Sequence, residues 1–281
     1  MSESFRFANA EGLLIRGDVH APAGRGPVVV CVHGFKGFKD WGFWPQTAER
    51  LVRAGMGAVR FNFAHSGVGE DLERFGEPRL FESGTYSREV SDLREVLVRL
   101  AGKDLPGAAD LDTARIGLLA HSRGAISAVA LAASEDGPVR SVALWNPVAT
   151  ALWWSEEERR RWRERGFWEV VNTRTREIFR ITTALLDDAE SNGDRLDPVS
   201  NARRLAVPLS VVVARGDESV SPESGRRLAR AAPSSLATLT EIEDSGHTFG
   251  AVHPFAGSTP AFDRAIGAAV EHFARTLGAA A

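Results

Sequence analysis

The pentapeptide Ala120-His121-Ser122-Arg123-Gly124 constrains the fold more than any other stretch of the chain. It stands between the apolar run Ile116-Gly117-Leu118-Leu119-Ala120 and the run Ala125 to Ala133, which has the composition of a buried helix. A strand that turns into a helix over so few residues brings two backbones close together. Small residues are needed two places before and two places after the apex, and Ala120 and Gly124 supply them. Such a turn lifts the Ser122 hydroxyl clear of a sheet. It also aims the first amides of the helix, which favour negative charge, at the space above. The alternative is an ordinary strand-to-helix turn in which Ser122 caps the helix.

The rest of the chain reads as a repeating pattern around this turn. Residues 4–8 and 13–20 form an opening hairpin, and Val28-Val29-Val30-Cys31-Val32 is a strand buried on both faces. The loop His33-Gly34-Phe35-Lys36-Gly37 follows that strand directly and can present a backbone N–H, that of Phe35, into a cleft. A helix over 44–54, a strand over Met56–Phe63 and the loop Ala64 to Gly69 come next. Residues 84–101 form an amphipathic helix with Val90, Leu93, Val96, Leu97 and Leu100 on one stripe. Its charges Arg88, Glu89, Asp92, Arg94 and Glu95 read as a solvated face. Strands over 139–145, 207–214 and 237–242, with helices over 221–232 and 260–277, complete the alternation. The expected class is α/β, a mainly parallel central sheet flanked by helices.

Residues 148–203 break this rhythm. The expected organisation is a core of 1–147 and 204–281 with a helical insertion of 148–203. The insertion has one helix through the charged run Glu156 to Arg165, a second over 170–187, and no strand. It enters just after the carboxyl end of a strand, where a lid would lie. Tryptophans concentrate in or beside it, and Trp145, Trp153 and Trp154 are candidate substrate-pocket residues. The same side chains could equally form the small core of the lid itself.

At 281 residues the chain suits one large domain with an insertion. A formal net charge of -3 carries no electrostatic footprint for nucleic acid. The single cysteine, Cys31, cannot form an internal disulfide and reads as a core residue. The first residues show no signal-peptide pattern, and no run reaches the roughly 18 apolar residues of a membrane span. The expectation is a cytoplasmic protein acting on a small molecule, with no cofactor, metal, nucleic-acid or membrane partner.

Ser122 needs a base to take its proton and a carboxylate to orient that base, both from loops at later strand ends. Asp217, in Arg215-Gly216-Asp217-Glu218, follows the strand 207–214. Glu218 is its nearest rival. His247, in Asp244-Ser245-Gly246-His247-Thr248, follows the last strand. His20, His33, His65, His121, His253 and His272 fit the base less well by position.

With these residues in order, the chain resembles the α/β-hydrolase-fold serine hydrolases, in particular the dienelactone-hydrolase-like and feruloyl-esterase-like branches with an inserted lid. The likeness spans residues 28–277. It rests on His33-Gly34-Phe35, the pentapeptide at Ser122, Gly216-Asp217 and Gly246-His247. Ala120 stands where those families usually carry glycine, and Ser122 where dienelactone hydrolases proper carry cysteine. The resemblance implies cleavage of a small to medium carboxylic ester; the alternatives are a thioesterase, acyltransferase or peptidase on the same fold, and a non-catalytic small-molecule binding protein. Ser122 would be the nucleophile, His247 the base, Asp217 its orienter, and the N–H groups of Phe35 and Arg123 the oxyanion donors. The Arg123 side chain is expected to point to solvent or to a lid carboxylate.

Overall fold

Three runs lie inside a sheet, each flanked by strands on both sides, with neither face meeting water. β3 (Pro27–Val32), β4 (Gly57–Asn62) and β9 (Leu209–Ala214) are buried at every position. The structure is a computed structural model and describes residues 2–71, 74–134, 137–172 and 176–278. The other sheet strands are β1 (Ser2–Ala8), β2 (Leu14–His20), β5 (Asp112–His121), β6 (Val139–Trp145) and β10 (Ala237–Ile242). Their spatial order is β1-β2-β4-β3-β5-β6-β9-β10. β1 pairs antiparallel with β2 and β2 antiparallel with β4, while every other pairing is parallel.

Successive residues of these strands feed two cores. Val28, Val30 and Val32 of β3 join one core with Ile116, Leu118 and Ala120 of β5. Val29 and Cys31 join the other with Leu119. The first core is covered by α3 (Tyr86–Ala101), α4 (Gly124–Ala132), α8 (Pro198–Arg203) and α9 (Pro222–Ala231). The second is covered by α1 (Trp44–Arg53) and α10 (Pro260–Leu277). Cys31 is a free, buried thiol in this second core, and burial pushes it up to about 12. A short helix, α2 (Pro78–Glu82), also lies between β4 and α3. The chain runs from β3 outward to β4, then returns to the other side of β3 as β5. That reversal is a topological switch point, where open α/β sheets leave a crevice at the strand ends.

Between β6 and β9 the chain makes α5 (Glu156–Arg165), β7 (Phe167–Val171), β8 (Ile178–Thr182), α6 (Ala184–Ser191) and α7 (Gly193–Leu196) before α8. The helix expected over 170–187 is corrected to an antiparallel hairpin followed by α6; residues 173–175 of that stretch lie outside the described residues. The reason is side-chain alternation. Val170 is buried on β7 between exposed Glu169 and Val171. Phe179 and Ile181 are buried on β8, while Ile178 and Arg180 are exposed. β-Branched and aromatic residues in that two-residue period favour strand over helix. α5 matches its expectation and carries a capping box of Ser155 and Glu158.

The solvated face expected on α3 also needs correction, since Glu89 and Asp92 are both buried. Asp92 accepts from Asn9 Nδ2 at 2.7 Å and from the Ala64 N–H at 2.8 Å, tying the first hairpin and the loop after β4 to α3. Burial pushes its carboxyl up to about 6, against the opposing hydrogen bonds. A carboxyl raised from 3.8 to about 6 loses about 3 kcal/mol of folded-state preference on ionising. That contribution is complete below pH 3.8 and is lost as pH rises through about 6. Asp92→Asn is therefore expected to gain stability relative to the wild type between pH 4 and pH 7. Denaturant unfolding of both proteins across that range would show a constant difference if Asp92 titrated normally.

Candidate active site

β5 ends at His121 and α4 begins at Gly124, so Ser122 and Arg123 turn the chain. Ser122 has φ 55°, a left-handed conformation that costs a residue with a side chain. Neighbouring strand ends hold it there. The Ser122 N–H donates to Trp145 O at 2.9 Å, and Ser122 O accepts from the N–H groups of Ala125 and Val148 at 3.1 and 3.3 Å. Gly124 has no room for a side chain, since a Cβ would stand 2.7 Å from Val32 O and 2.8 Å from His33 O. Gly34 meets the turn from the opposite side. A Cβ there would lie 2.9 Å from His121 O, 3.0 Å from Ser122 Cβ and 3.3 Å from Arg123 N. The loop after β3 thus lies directly against the serine turn.

That loop is pinned by His33. Its Nδ1–H donates to Gly34 O at 3.0 Å and its Nε2 accepts from the Phe63 N–H at 3.4 Å, the pattern of a neutral ring. Burial lowers its pKa to about 4. The N–H groups of Phe35 and Arg123 find no acceptor among the described residues.

Asp217 and His247 come together across the ends of β9 and β10. His247 Nδ1 donates to Asp217 Oδ2 at 2.7 Å, and Asp217 Oδ1 accepts from the N–H groups of Ser219 and Val220 at 2.8 and 2.9 Å. Burial would raise the Asp217 pKa. The hydrogen bond and charge of His247, with the two amides, outweigh it and hold the carboxyl below its ordinary value. Glu218 is exposed, so Asp217 alone of the two carboxylates holds the imidazole. Ser122 and His247 line one cavity of about 790 Å³. Their side chains do not hydrogen-bond to each other in this structure, and such contacts commonly tighten only around substrate.

Two buried residues that the sequence reading did not single out as site residues hold the His247 loop. Asn146 Nδ2 donates to His247 O at 2.8 Å, while its Oδ1 accepts from the Ala214 N–H at 2.7 Å. His121 Nε2 donates to the same His247 carbonyl at 2.9 Å, and the two rings lie 4.6 Å apart. Burial, with His247 beside it, lowers the His121 pKa to about 3. The signal for Asn146 lay in its place at the end of β6, one residue after Trp145, where a polar side chain can bridge adjacent strand ends.

The pocket residues divide. Trp153 and Trp154 line the cavity, and their rings stack 4.3 Å apart. Trp145 does not line it. It is fully buried in the core beneath, packed on Phe43, Trp44 and Phe249 at 5.4, 6.0 and 5.7 Å. Its position as the last residue of β6 turns its ring into the α1–α10 layer, with Val212 and Ala214. The cavity takes further aromatic surface from Phe35, Tyr86 and Trp168. Burial pushes the Tyr86 hydroxyl up to about 12. Trp154 also packs on Trp162, whose indole N–H donates to Ile181 O at 3.0 Å, so the tryptophans serve the cavity wall and the packing of the segment between β6 and β9 together. The Arg123 side chain, 15% exposed, pairs with no carboxylate of the segment between β6 and β9 among the described residues. It forms a largely buried ion pair with Glu89 of α3.

Among the described residues, no cluster of three or more His, Cys, Asp or Glu side chains is placed to hold a metal ion, and no helix is long and apolar enough to cross a membrane.

A strand-to-helix serine turn at a switch point, facing an Asp-bound histidine, defines an α/β-hydrolase architecture. The chain belongs to the alpha/beta hydrolase family, whose model matches residues 29–258. Solved structures share the fold at low identity. Est1E from Butyrivibrio proteoclasticus, solved with ferulic acid bound, superposes with a TM-score of 0.72 at 16% identity, over 98% of this chain and 99% of that one. The esterase domain of a Rhodothermus marinus protein gives a TM-score of 0.64 at 18% identity, over 98% of each chain. A candidate hydrolase from Agrobacterium vitis S4 gives 0.74 at 20% identity, over 97% of this chain and 99% of that one. No functionally curated protein matches the sequence.

Asn146→Ala strands the buried Ala214 N–H and removes one of two donors to the His247 carbonyl. A loss of about 1–3 kcal/mol in unfolding free energy is expected. The denaturant midpoint checks it, and a change below about 0.5 kcal/mol would mean that the bridge is redundant.

Proposed function

We propose that the protein hydrolyses small to medium carboxylic esters through an acyl-enzyme on Ser122. The observation that carries this reading is the His247–Asp217 hydrogen bond of 2.7 Å at the same cavity as the strained Ser122 turn. With Nδ1 bound to Asp217, His247 has Nε2 available to take the Ser122 proton as Oγ attacks the ester carbonyl. Asp217, held ionised by its hydrogen bonds, stabilises the imidazolium. The unused N–H groups of Phe35 and Arg123 receive the oxyanion, each worth about 3–4 kcal/mol of transition-state stabilisation. His247 then protonates the departing alcohol, and water repeats the sequence on the acyl-enzyme.

We read residues 148–203 as a lid that sets substrate choice, because Trp153, Trp154, Trp168 and Leu185 of this segment form cavity wall. The aromatic surface of Phe35, Tyr86 and these tryptophans suits a flat apolar group on the ester. The ferulic acid found in Est1E is in keeping with that preference. A thioester or amide would meet the same groups, so acyl compounds of all three kinds belong in the substrate panel.

Intact-mass spectrometry after exposure to a fluorophosphonate is the direct test. One adduct on the wild type and none on Ser122→Ala is expected, with ester turnover falling by at least about 1000-fold in the variant. An unlabelled wild type, or a variant that keeps full esterase activity, would remove the proposal.

A further inference from the structure

We infer that Glu89 on α3 is a positioning residue for the oxyanion site, holding the Arg123 guanidinium over the Phe35 ring. The inference rests on the proposed use of the Phe35 and Arg123 main-chain N–H groups as oxyanion donors. These two residues come from different loops, one after β3 and one after β5. Their side chains nevertheless meet, with the Arg123 guanidinium 4.6 Å from the Phe35 ring centroid and 5.4 Å from that of Tyr86. Such stacking is favourable when water is excluded. Phe35 is also packed against Phe81 and Trp168, at 5.2 and 6.1 Å. Arg123 therefore closes one side of an aromatic slot that fixes where Phe35 sits.

Glu89 determines where Arg123 sits. It is the one carboxylate paired with Arg123 among the described residues, and the Arg123 Nε is buried with no partner. Glu89 itself stands on a fixed support. The Thr85 hydroxyl caps α3 at the Arg88 N–H, and Ser87 is held by Asp188 through its N–H and hydroxyl at 2.9 and 2.5 Å. Burial raises the Glu89 pKa, and the Arg123 charge opposes that rise. Buried ion pairs are seldom retained for their net stability, because desolvation cancels most of the attraction. Breaking one leaves a buried charge that must move. Arg123 lines the cavity, so without Glu89 its route to water is into the cavity and off the Phe35 ring.

The test compares Glu89→Gln, Glu89→Asp and Arg123→Gln with the wild type. Two quantities are read: the rate constant for fluorophosphonate labelling of Ser122, and kcat and KM for a short p-nitrophenyl ester, normalised to active sites titrated by the label. Arg123→Gln keeps the main-chain N–H, so it reports the side chain alone. Labelling rate and kcat per site are expected to fall at least tenfold in Glu89→Gln and in Arg123→Gln. KM should change by less than threefold, and Glu89→Asp should recover most of the loss. The double variant should be no slower than either single one. A purely structural role would lower the number of titrated sites and the Tm while leaving kcat per site intact. That outcome, or a loss confined to KM, overturns the inference. If Glu89→Gln does not fold, Arg123→Gln decides by the same criteria. Failure of the wild type to label would defeat the proposed function and this inference with it. A labelled wild type with unchanged variants would defeat the inference alone.

Discussion

Everything at the candidate site depends on the lack of space between two backbones. Gly34 and Gly124 each face carbonyl oxygens within 3 Å of where a side chain would begin. The loop after β3 and the turn after β5 are therefore in contact over main chain, with no flexible group between them. Main-chain contacts of this kind have few ways to relax, because no rotamer can absorb a displacement. The left-handed Ser122 is sustained by the same arrangement. Its N–H and its carbonyl are bound to the chain at and after the end of β6, so the adjoining strand end holds the residue in this conformation.

Much of this was legible in the sequence, for identifiable reasons. Buried parallel strands must be apolar on both faces, so β3 and β9 announced themselves as continuous runs. The strand-to-helix turn required small residues at fixed offsets from Ser122. Asp217 and His247 stand out in the sequence because they follow strands and stand beside glycines, and the structure hydrogen-bonds the two side chains. The features that stayed hidden depend on partners distant in sequence. Nothing local to α3 marks Glu89 and Asp92 as buried: their partners, Arg123 for Glu89 and the Asn9 amide and Ala64 N–H for Asp92, come from other elements. Trp145 reads as a pocket residue because it stands beside the tryptophan-rich segment, yet the two-residue period of β6 sends its ring into the α1–α10 layer. Only the adjacency of β6 and β9 reveals what the Asn146 amide bridges.

The hairpin of β7 and β8 was missed because charged residues interrupt short apolar stretches, a pattern that also suits an exposed helix. Its consequence is mechanical. Trp162 on α5 is hydrogen-bonded to Ile181 on β8, and Trp168 on β7 packs on both Trp154 and Phe35. The segment between β6 and β9 is thus tied to itself by indole rings and touches the loop after β3 through the same ring system. A shift of the hairpin would be felt at Phe35, two residues from the pinned imidazole of His33.

His121 gives the cavity floor a property of its own. It lies 4.6 Å from His247, ring to ring, yet its pKa near 3 and its donated Nε2–H leave it neutral at every ordinary pH. An imidazole so close to another could in principle serve as the next stop for a migrating proton. Here its Nε2–H is committed to the His247 carbonyl, so the ring holds the His247 loop in place without offering a second proton acceptor beside it.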